Sequence, residues 1–466
     1  MSLEDRIELF CRERETNAHG QLVVSDEGTT LRLFSFDGFF LIESGSNIVL
    51  DLSDAGVATL LDCIMLEGAG TASSMLSGKR VDFETVTPNL TLIGHHEWSN
   101  EKLVYRSSFM FDDCAGALRD RDLVQTRYED GETENSFGRT IIEIDHDRPP
   151  LLSAQTKDLI VDISVLSEDR VRQRPYVQVE FLDGVSINRY LGTLEDIVTF
   201  FALAGGYVAR PYRIKVSYLS RQLQEKEVKE RHDRHSFDAR YRWPEFSKPS
   251  HLVGPHTSAV HTLDSVERSA CQASLTSWLE RREHWWPSYR FAMSVLWRQG
   301  VMDRDRLLAA FGWFETIPNT SGTAELCPEK IDRIVAAALK ELTTLGLEKH
   351  EKRVKGLLGQ LCNESLARQL ERTIQRLRAS YGEQLVSKTL ERDCANAVKL
   401  RGRAAHRNRG WENIGLQELA NAIQAVELVS FLMMFEGIPL ASTAKKRLTS
   451  NPFVFGYAWN PRKNLD

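Results

Sequence analysis

The apolar residues of this chain change period near His261. Before about residue 245 they alternate with polar ones in short runs broken by Gly, Ser and Asp turns; after His261 they recur every three or four residues. Alternation belongs to a half-buried strand and a 3.6-residue period to an amphipathic helix, and one stretch cannot satisfy both. The chain must therefore build two cores of different kinds. At 466 residues it is long enough for two or three domains. The expected fold is α+β and multidomain: a strand-rich, sandwich-like or barrel-like domain at 1–245, a linker at 246–261, an all-α bundle at 262–440 and a tail at 441–466.

Within the first part, residues 3–15 read as a short charged helix. Strands are expected at Gly20–Val24 and Thr30–Phe34, joined by the turn residues Ser25–Gly28, then at Phe39–Ile42, Asn47–Leu52, Val57–Met65, Leu90–Gly94 and Val104–Phe111. More follow at Thr140–Ile144, Leu159–Val165, Val177–Phe181 and Arg213–Leu219, with one helix at Leu191–Phe201. The dense charges of Gln222–Arg234 read as a solvated helix or linker, and Pro244, Pro249 and Pro255 mark an extended connection. Helices are then expected near 265–281, 285–299, 303–316, 326–345, 348–361, 364–380, 383–409 and 416–436. Pro328 suits a first turn, Asn363 an N-cap, and Gly410 and Gly437 positions just past a helix end. Leu416, Leu419, Ile423, Val426, Val429 and Leu432 form one buried stripe on the last helix.

The net charge of −6 conceals a division: residues 1–200 carry 18 Lys+Arg against 36 Asp+Glu, and residues 201–466 carry 41 against 29. Net charges of −18 and +12 follow, so the second part is the one suited to a polyanion, unless the two domains merely differ in surface. Seven cysteines, scattered and without a Cys-x2-Cys pair, read as reduced thiols. No apolar run reaches the roughly 18 residues of a membrane span, and Met1–Arg6 does not open a secretory signal. The expected location is cytoplasmic, with no membrane partner.

The chemistry concentrates at Arg401-Gly402-Arg403-Ala404-Ala405-His406, followed by Arg407 and Arg409, so that four of nine residues are arginine. Histidine takes and gives a proton near neutral pH, and arginine presents a fixed fork to phosphate oxygens. Together they suit acid/base work on a phosphodiester. On a straight helix Arg401 and His406 would lie about 140° apart, so they cannot aim at one atom. Either the helix unwinds near Gly402, or two copies each supply an Arg and a His across a two-fold axis. Arginines favouring the negative end of a surface helix are the structural alternative.

At these residues the chain resembles the HEPN ribonucleases, whose signature is Arg-x4-His late in a helical domain. The resemblance is closest to the ApeA-type HEPN proteins, which join a strand-rich N-terminal domain to a C-terminal HEPN domain and serve bacterial anti-phage defence and abortive infection. It implies a metal-independent endoribonuclease without cofactor, held inactive until triggered. Arg401 and His406 would be catalytic, and Arg403, Arg407 and Arg409 would bind RNA, tRNA being one candidate. It also implies a homodimer through the HEPN domain and a phage-derived trigger sensed by the N-terminal domain. The family usually has a polar residue where this chain has Gly402, which favours the alternative of a non-catalytic HEPN module that binds RNA or nucleotide or scaffolds a partner.

Other constellations are weaker. Arg368, Arg372 and Arg376 share one helix face, expected to pair with local acids such as Glu364. Glu315 is a lone acid in an apolar helix, expected as a helix-end surface residue, with orienting a catalytic group as the alternative. Phe453, Phe455, Tyr457 and Trp459 alternate in the tail, after Lys445-Lys446-Arg447, and are expected to pack on their own domain rather than to form an RNA platform. Gly70–Arg80 lacks the spacing of a phosphate loop, and His95-His96, His232, His235, His251, His256 and His261 lack a zinc spacing, so no metal is expected.

Overall fold

A computed structural model describes residues 7–16, 18–25, 28–35, 42–54, 56–66, 70–73, 80–99, 101–111, 124–129, 139–144, 149–167, 173–206, 211–220, 236–241, 268–298, 301–318, 328–359, 364–405, 413–440, 448–451, 453–454 and 457. The chain divides into two compact units, one of residues 1–248 and 254–280 and one of residues 249–253 and 281–466.

The first unit is a strand-rich region built around one long strand. Strands β1 (Ile7–Glu13), β2 (His19–Ser25), β3 (Gly28–Ser35), β4 (Ile48–Leu52) and β5 (Val57–Met65) are followed by β6 (Gly70–Ser73) and β7 (Arg80–Gly94). Every pairing among them is antiparallel, in the order β7-β3-β2-β1-β4-β5, and β5 returns to β7, which closes a six-stranded barrel. Closure removes the free edges that an open sheet would expose. The alternating residues Leu22, Val24, Leu31, Leu33, Leu50, Leu60 and Val86 fill its core.

β7 is shared. Its Asp82–Val86 half pairs with β3, and its Leu90–Ile93 half pairs with β15 (Ser236–Tyr241). Pro88 lies between the two pairings, where the missing N–H breaks neither ladder. From β15 the sheet continues through β14 (Pro211–Ser217), β8 (Val104–Phe111), β13 (Gln173–Val185), β12 (Leu159–Ser167) and β11 (Leu152–Gln155). A separate hairpin joins β9 (Val124–Glu129) to β10 (Arg139–Ile144). Helix α1 (Ile187–Gly205) starts at Ser186, whose hydroxyl accepts from the Arg189 N–H, and stops at Gly206 with φ 74°. It packs on the sheet through Tyr190, hydrogen-bonded to Ser107 at 2.7 Å, and through Phe201 against Phe111.

The expected helix at 3–15 is corrected here: Ile7–Glu13 is β1, paired with both β2 and β4. Leu9, Cys11 and Glu13 turn inward while Glu8, Phe10 and Arg12 turn outward, and pairing on two sides outweighs the weak helical bias of so short a segment. Helix α2 (Arg268–Glu280), expected in the helical domain from 262, belongs to the strand-rich unit. Buried Trp278 anchors it, donating from Nε1 to the Asp196 carbonyl of α1 at 2.9 Å and meeting Phe200 edge-on. Phe39–Phe40, Gln222–Arg234 and the three linker prolines lie outside the described residues.

The second unit is helical: α3 (Arg282–Trp297), α4 (Arg304–Thr316), α5 (Pro328–Thr344), α6 (Glu351–Gly359), α7 (Leu366–Tyr381), α8 (Lys388–Ala405) and α9 (Leu416–Phe435). α9 is its axis. At 20 residues and a mean hydropathy of 1.4 it is long and apolar enough to cross a membrane, yet 78% of that stretch is buried inside the unit. α4, α7 and α8 pack against it. Asp303 caps α4, accepting from the Arg306 N–H at 2.8 Å. Ser365, rather than Asn363, caps α7, which frees Glu364 for an ion pair. The tail folds back on the unit: Phe453 stacks on Phe431 and meets Trp313 edge-on, as the packing expectation required.

One ion pair lies inside this core. Arg306 Nε and Nη2 donate to Glu427 at 2.7 and 2.8 Å, and Arg306 Nη1 reaches the carbonyls of Arg298 and Val301 at 3.1 Å each. The two residues are 4% and 2% exposed. Glu427→Leu should destabilise the helical unit by about 3–5 kcal/mol by leaving a buried guanidinium, and Arg306→Met/Glu427→Leu should cost less than Glu427→Leu alone, as read from denaturant unfolding. In the barrel, Glu84 stands opposite Leu33 on the core face, is buried, and accepts from the Ile42 N–H at 3.3 Å. Burial raises its carboxyl above the ordinary range. A raised carboxyl withdraws stability as pH climbs through the unfolded value of about 4.3 towards the folded one. Glu84→Gln should therefore raise the melting temperature of the strand-rich unit at neutral pH, with the gain vanishing below about pH 4.

Candidate functional site

Helix α8 carries the basic motif at its C-terminal end. Leu390, Cys394, Ala397, Leu400 and Ala404 are buried, and this stripe fixes the rotation of the helix. Arg401 follows Leu400 and reaches α4. Its Nη2 donates to both oxygens of Glu315 at 2.9 Å, and its guanidinium carbon stands 5.4 Å from the centroid of the Phe311 ring. Phe311 and Glu315 are one turn apart on α4, so a buried ring and an exposed carboxylate hold one planar cation from two sides. Arg401 remains partly open to solvent, its side chain 36% exposed. Nη1 and Nε make no hydrogen bond among the described residues, so donors remain for an incoming anion.

The helix runs unbroken through Gly402 to Ala405, so the unwinding considered for Gly402 is absent. A Cβ at Gly402 would meet nothing within 4 Å among the described residues. Arg403 is exposed and stands about 200° around the helix from Arg401, so the two arginines face different directions. His406, Arg407, Arg409 and Gly410 lie outside the described residues.

The other sequence candidates resolve into packing. Arg372 pairs with Glu364 at 2.8 Å and Arg376 with Glu436 at 2.9 Å, so these two arginines of the α7 stripe are matched by acids. Tyr457 is buried and donates to Asp393 Oδ2 of α8 at 3.0 Å. Burial, with Asp393 adding to it, drives the Tyr457 proton far above its ordinary affinity, so the phenol is a permanent donor. Phe455, Trp459, Lys445–Arg447 and five of the seven histidines singled out in the sequence lie outside the described residues. A groove of about 260 Å³ runs between α7 and α8 over Leu370, Ile374 and Val398, and its charged lining, Glu371 and Glu391 against Arg392, is net acidic and a poor seat for a phosphate.

Glu315 stands out in the sequence as a lone acid, with a surface place expected and orientation of a catalytic group as the alternative. Its role as the partner of Arg401 depends on α4 lying beside α8, 86 residues later. Phe311 gave no signal, because a buried phenylalanine under a cation reads as ordinary core.

These contacts differ in what they do for the fold. Glu315→Ala should cost no more than about 1 kcal/mol, the worth of an exposed ion pair. Tyr457→Phe should cost about 1–3 kcal/mol by removing a donor from the buried Asp393 carboxylate. Denaturant unfolding of the two variants beside the parent measures both.

A family model described as ApeA N-terminal domain 1 matches residues 10–256, more than half of the chain. No curated protein matches the chain. No solved structure matches it. The match spans the closed barrel and the sheet that continues from β7, and with it the chain belongs to the family that carries ApeA N-terminal domain 1, followed by a helical region.

Proposed function

We propose that this ApeA-like chain is an anti-phage defence protein whose helical unit is an endoribonuclease needing no metal. The observation that carries the reading is the held but open guanidinium of Arg401, five residues before His406. Glu315 and Phe311 hold the cation, and its side chain stays 36% exposed. This is the preparation that charge stabilisation at a reacting phosphate requires, because a fixed donor needs no reorganisation as charge develops.

In the proposed reaction a ribose 2′-oxygen attacks the adjacent phosphorus. The P–O2′ bond forms and the P–O5′ bond breaks, leaving a 2′,3′-cyclic phosphate and a 5′-hydroxyl. His406 removes the 2′-proton or returns one to the leaving oxygen. Arg401 holds the phosphoryl oxygens, and Glu315 is a positioning residue for Arg401. Because Arg401 and His406 would diverge if the helix continued straight, two copies complete each other's sites about a two-fold axis. Arg403, Arg407 and Arg409 hold the RNA backbone, the 2′-hydroxyl requirement excludes DNA, and the strand-rich unit senses the phage-derived trigger.

A second reading, a binding module without catalysis, is favoured by Gly402, which puts no polar group beside the motif. The two are separated by incubating the full chain with cellular RNA in EDTA, beside Arg401→Ala, His406→Ala and Glu315→Gln. Fragments ending in cyclic phosphate are expected from the parent, with at least about a hundredfold loss in the first two variants. Glu315→Gln should keep the fold and lose activity in kcat rather than KM. Intact RNA bound in an Arg401-dependent way, both by the chain alone and with extract of phage-infected cells added, would establish the module instead; neither cleavage nor binding would sink both readings.

A further inference from the structure

An exposed aromatic ring packs on the helix turn that holds this guanidinium. Phe291 of α3 is 36% exposed, and its ring rests on α4 at Gly312. A Cβ at Gly312 would come within 2.5 Å of Phe291 Cε1 and 2.9 Å of Cζ, so any other residue there would displace the ring. Glycine weakens a helix interior relative to alanine, so α4 gives up local stability at the point where the ring is seated. Phe291 is nevertheless 36% exposed, so the glycine seats a residue that the core does not enclose.

Gly312 belongs to the turn that holds Arg401. It follows Phe311, which lies under the guanidinium, and precedes by three residues Glu315, whose carboxylate takes Arg401 Nη2. Positions three apart on a helix stand about 5–6 Å from each other at Cβ. The ring of Phe291 and the guanidinium of Arg401 therefore flank one turn of α4. A phosphate held by Arg401 carries its own base, or the next one, within reach of that ring.

We propose that Phe291 is a base-stacking platform for the Arg401 site, so that its ligand is single-stranded RNA with an unpaired base beside the held phosphate. An aromatic face accepts any base, and it can accept one only where the base is free of its duplex stack. Phe311 cannot serve, because it is fully buried. Trp286, 48% exposed on the same helix, stands about 140° around from Phe291, with Arg290 already over its ring. It is the internal control.

The inference rests on the RNA reading of the site, and the experiment keeps the two apart. Full-length protein carrying His406→Ala, so that RNA survives, is titrated with an end-labelled unstructured oligoribonucleotide and with the same oligomer made abasic. Adding Phe291→Ala should weaken binding of the intact oligomer roughly tenfold and leave the abasic one unchanged. Phe291→Trp should retain binding, Phe291→Leu, which keeps an apolar contact with Gly312 but no ring face, should behave as Phe291→Ala, and Trp286→Ala should have no effect. Unchanged affinity in Phe291→Ala, an equal loss on the abasic oligomer, or an equal loss in Trp286→Ala would overturn the platform while leaving the RNA site standing. Failure of the His406→Ala parent to bind RNA in an Arg401-dependent way would overturn both.

Discussion

Inside the helical unit a guanidinium and a carboxylate have been taken out of water together, and the arrangement of the helices around α9 depends on their meeting. Arg306 and Glu427 are separated by 121 residues and joined by two hydrogen bonds. Either charge alone in that core would be prohibitively unstable, so α4 can dock on α9 in only the register that pairs them. The same arginine holds two carbonyls at the end of α3 and the turn after it, and thereby fixes how α3 enters α4. Three helices are set by one side chain. The candidate site inherits that order, since Phe311 and Glu315 lie on α4 about one and a half and two and a half turns beyond Arg306.

Against that fixed α4, the tail and α8 supply the rest. Tyr457 binds Asp393 two turns before Arg401, and Phe453 fills the space between Trp313 and Phe431. These contacts hold α8 from the far end, so that Arg401 meets Glu315 with little freedom left to lose. The exposed pair itself adds little to stability. Its value is positional, as a cation steadied on one side and open on the other is better prepared for an anion than a free arginine would be.

In the strand-rich unit the corresponding constraint is topological. β7 closes the barrel with β3 on one edge and β5 on the other, then gives the first edge to β15 after Pro88. One strand thus belongs to a barrel and to a second sheet, which lets a single unit carry two separate apolar layers, the barrel core and the layer under α1. The family match covers both.

The order of strands and helices was legible in the sequence because period is a local property. Val57–Met65 and Val104–Phe111 are strands over the very residues their alternation marks, and the helices at 304–316 and 416–435 fall within a residue of their periodic stretches. The basic cluster from Arg401 and the packed aromatic tail were legible for the same reason, residue type and spacing being enough. What depended on distant partners was not. Ile7–Glu13 looks helical until β2 and β4 flank it; α2 looks like the start of the bundle until Trp278 finds Asp196; the barrel exists only because β5 returns to β7. Glu315 is a surface acid until α8 brings Arg401 to it, and Phe291 is an ordinary helix residue until Gly312 receives its ring. Sequence determined the elements and the chemical types available; tertiary structure decided which groups meet, because those contacts span from tens of residues to more than a hundred and no local pattern encodes them.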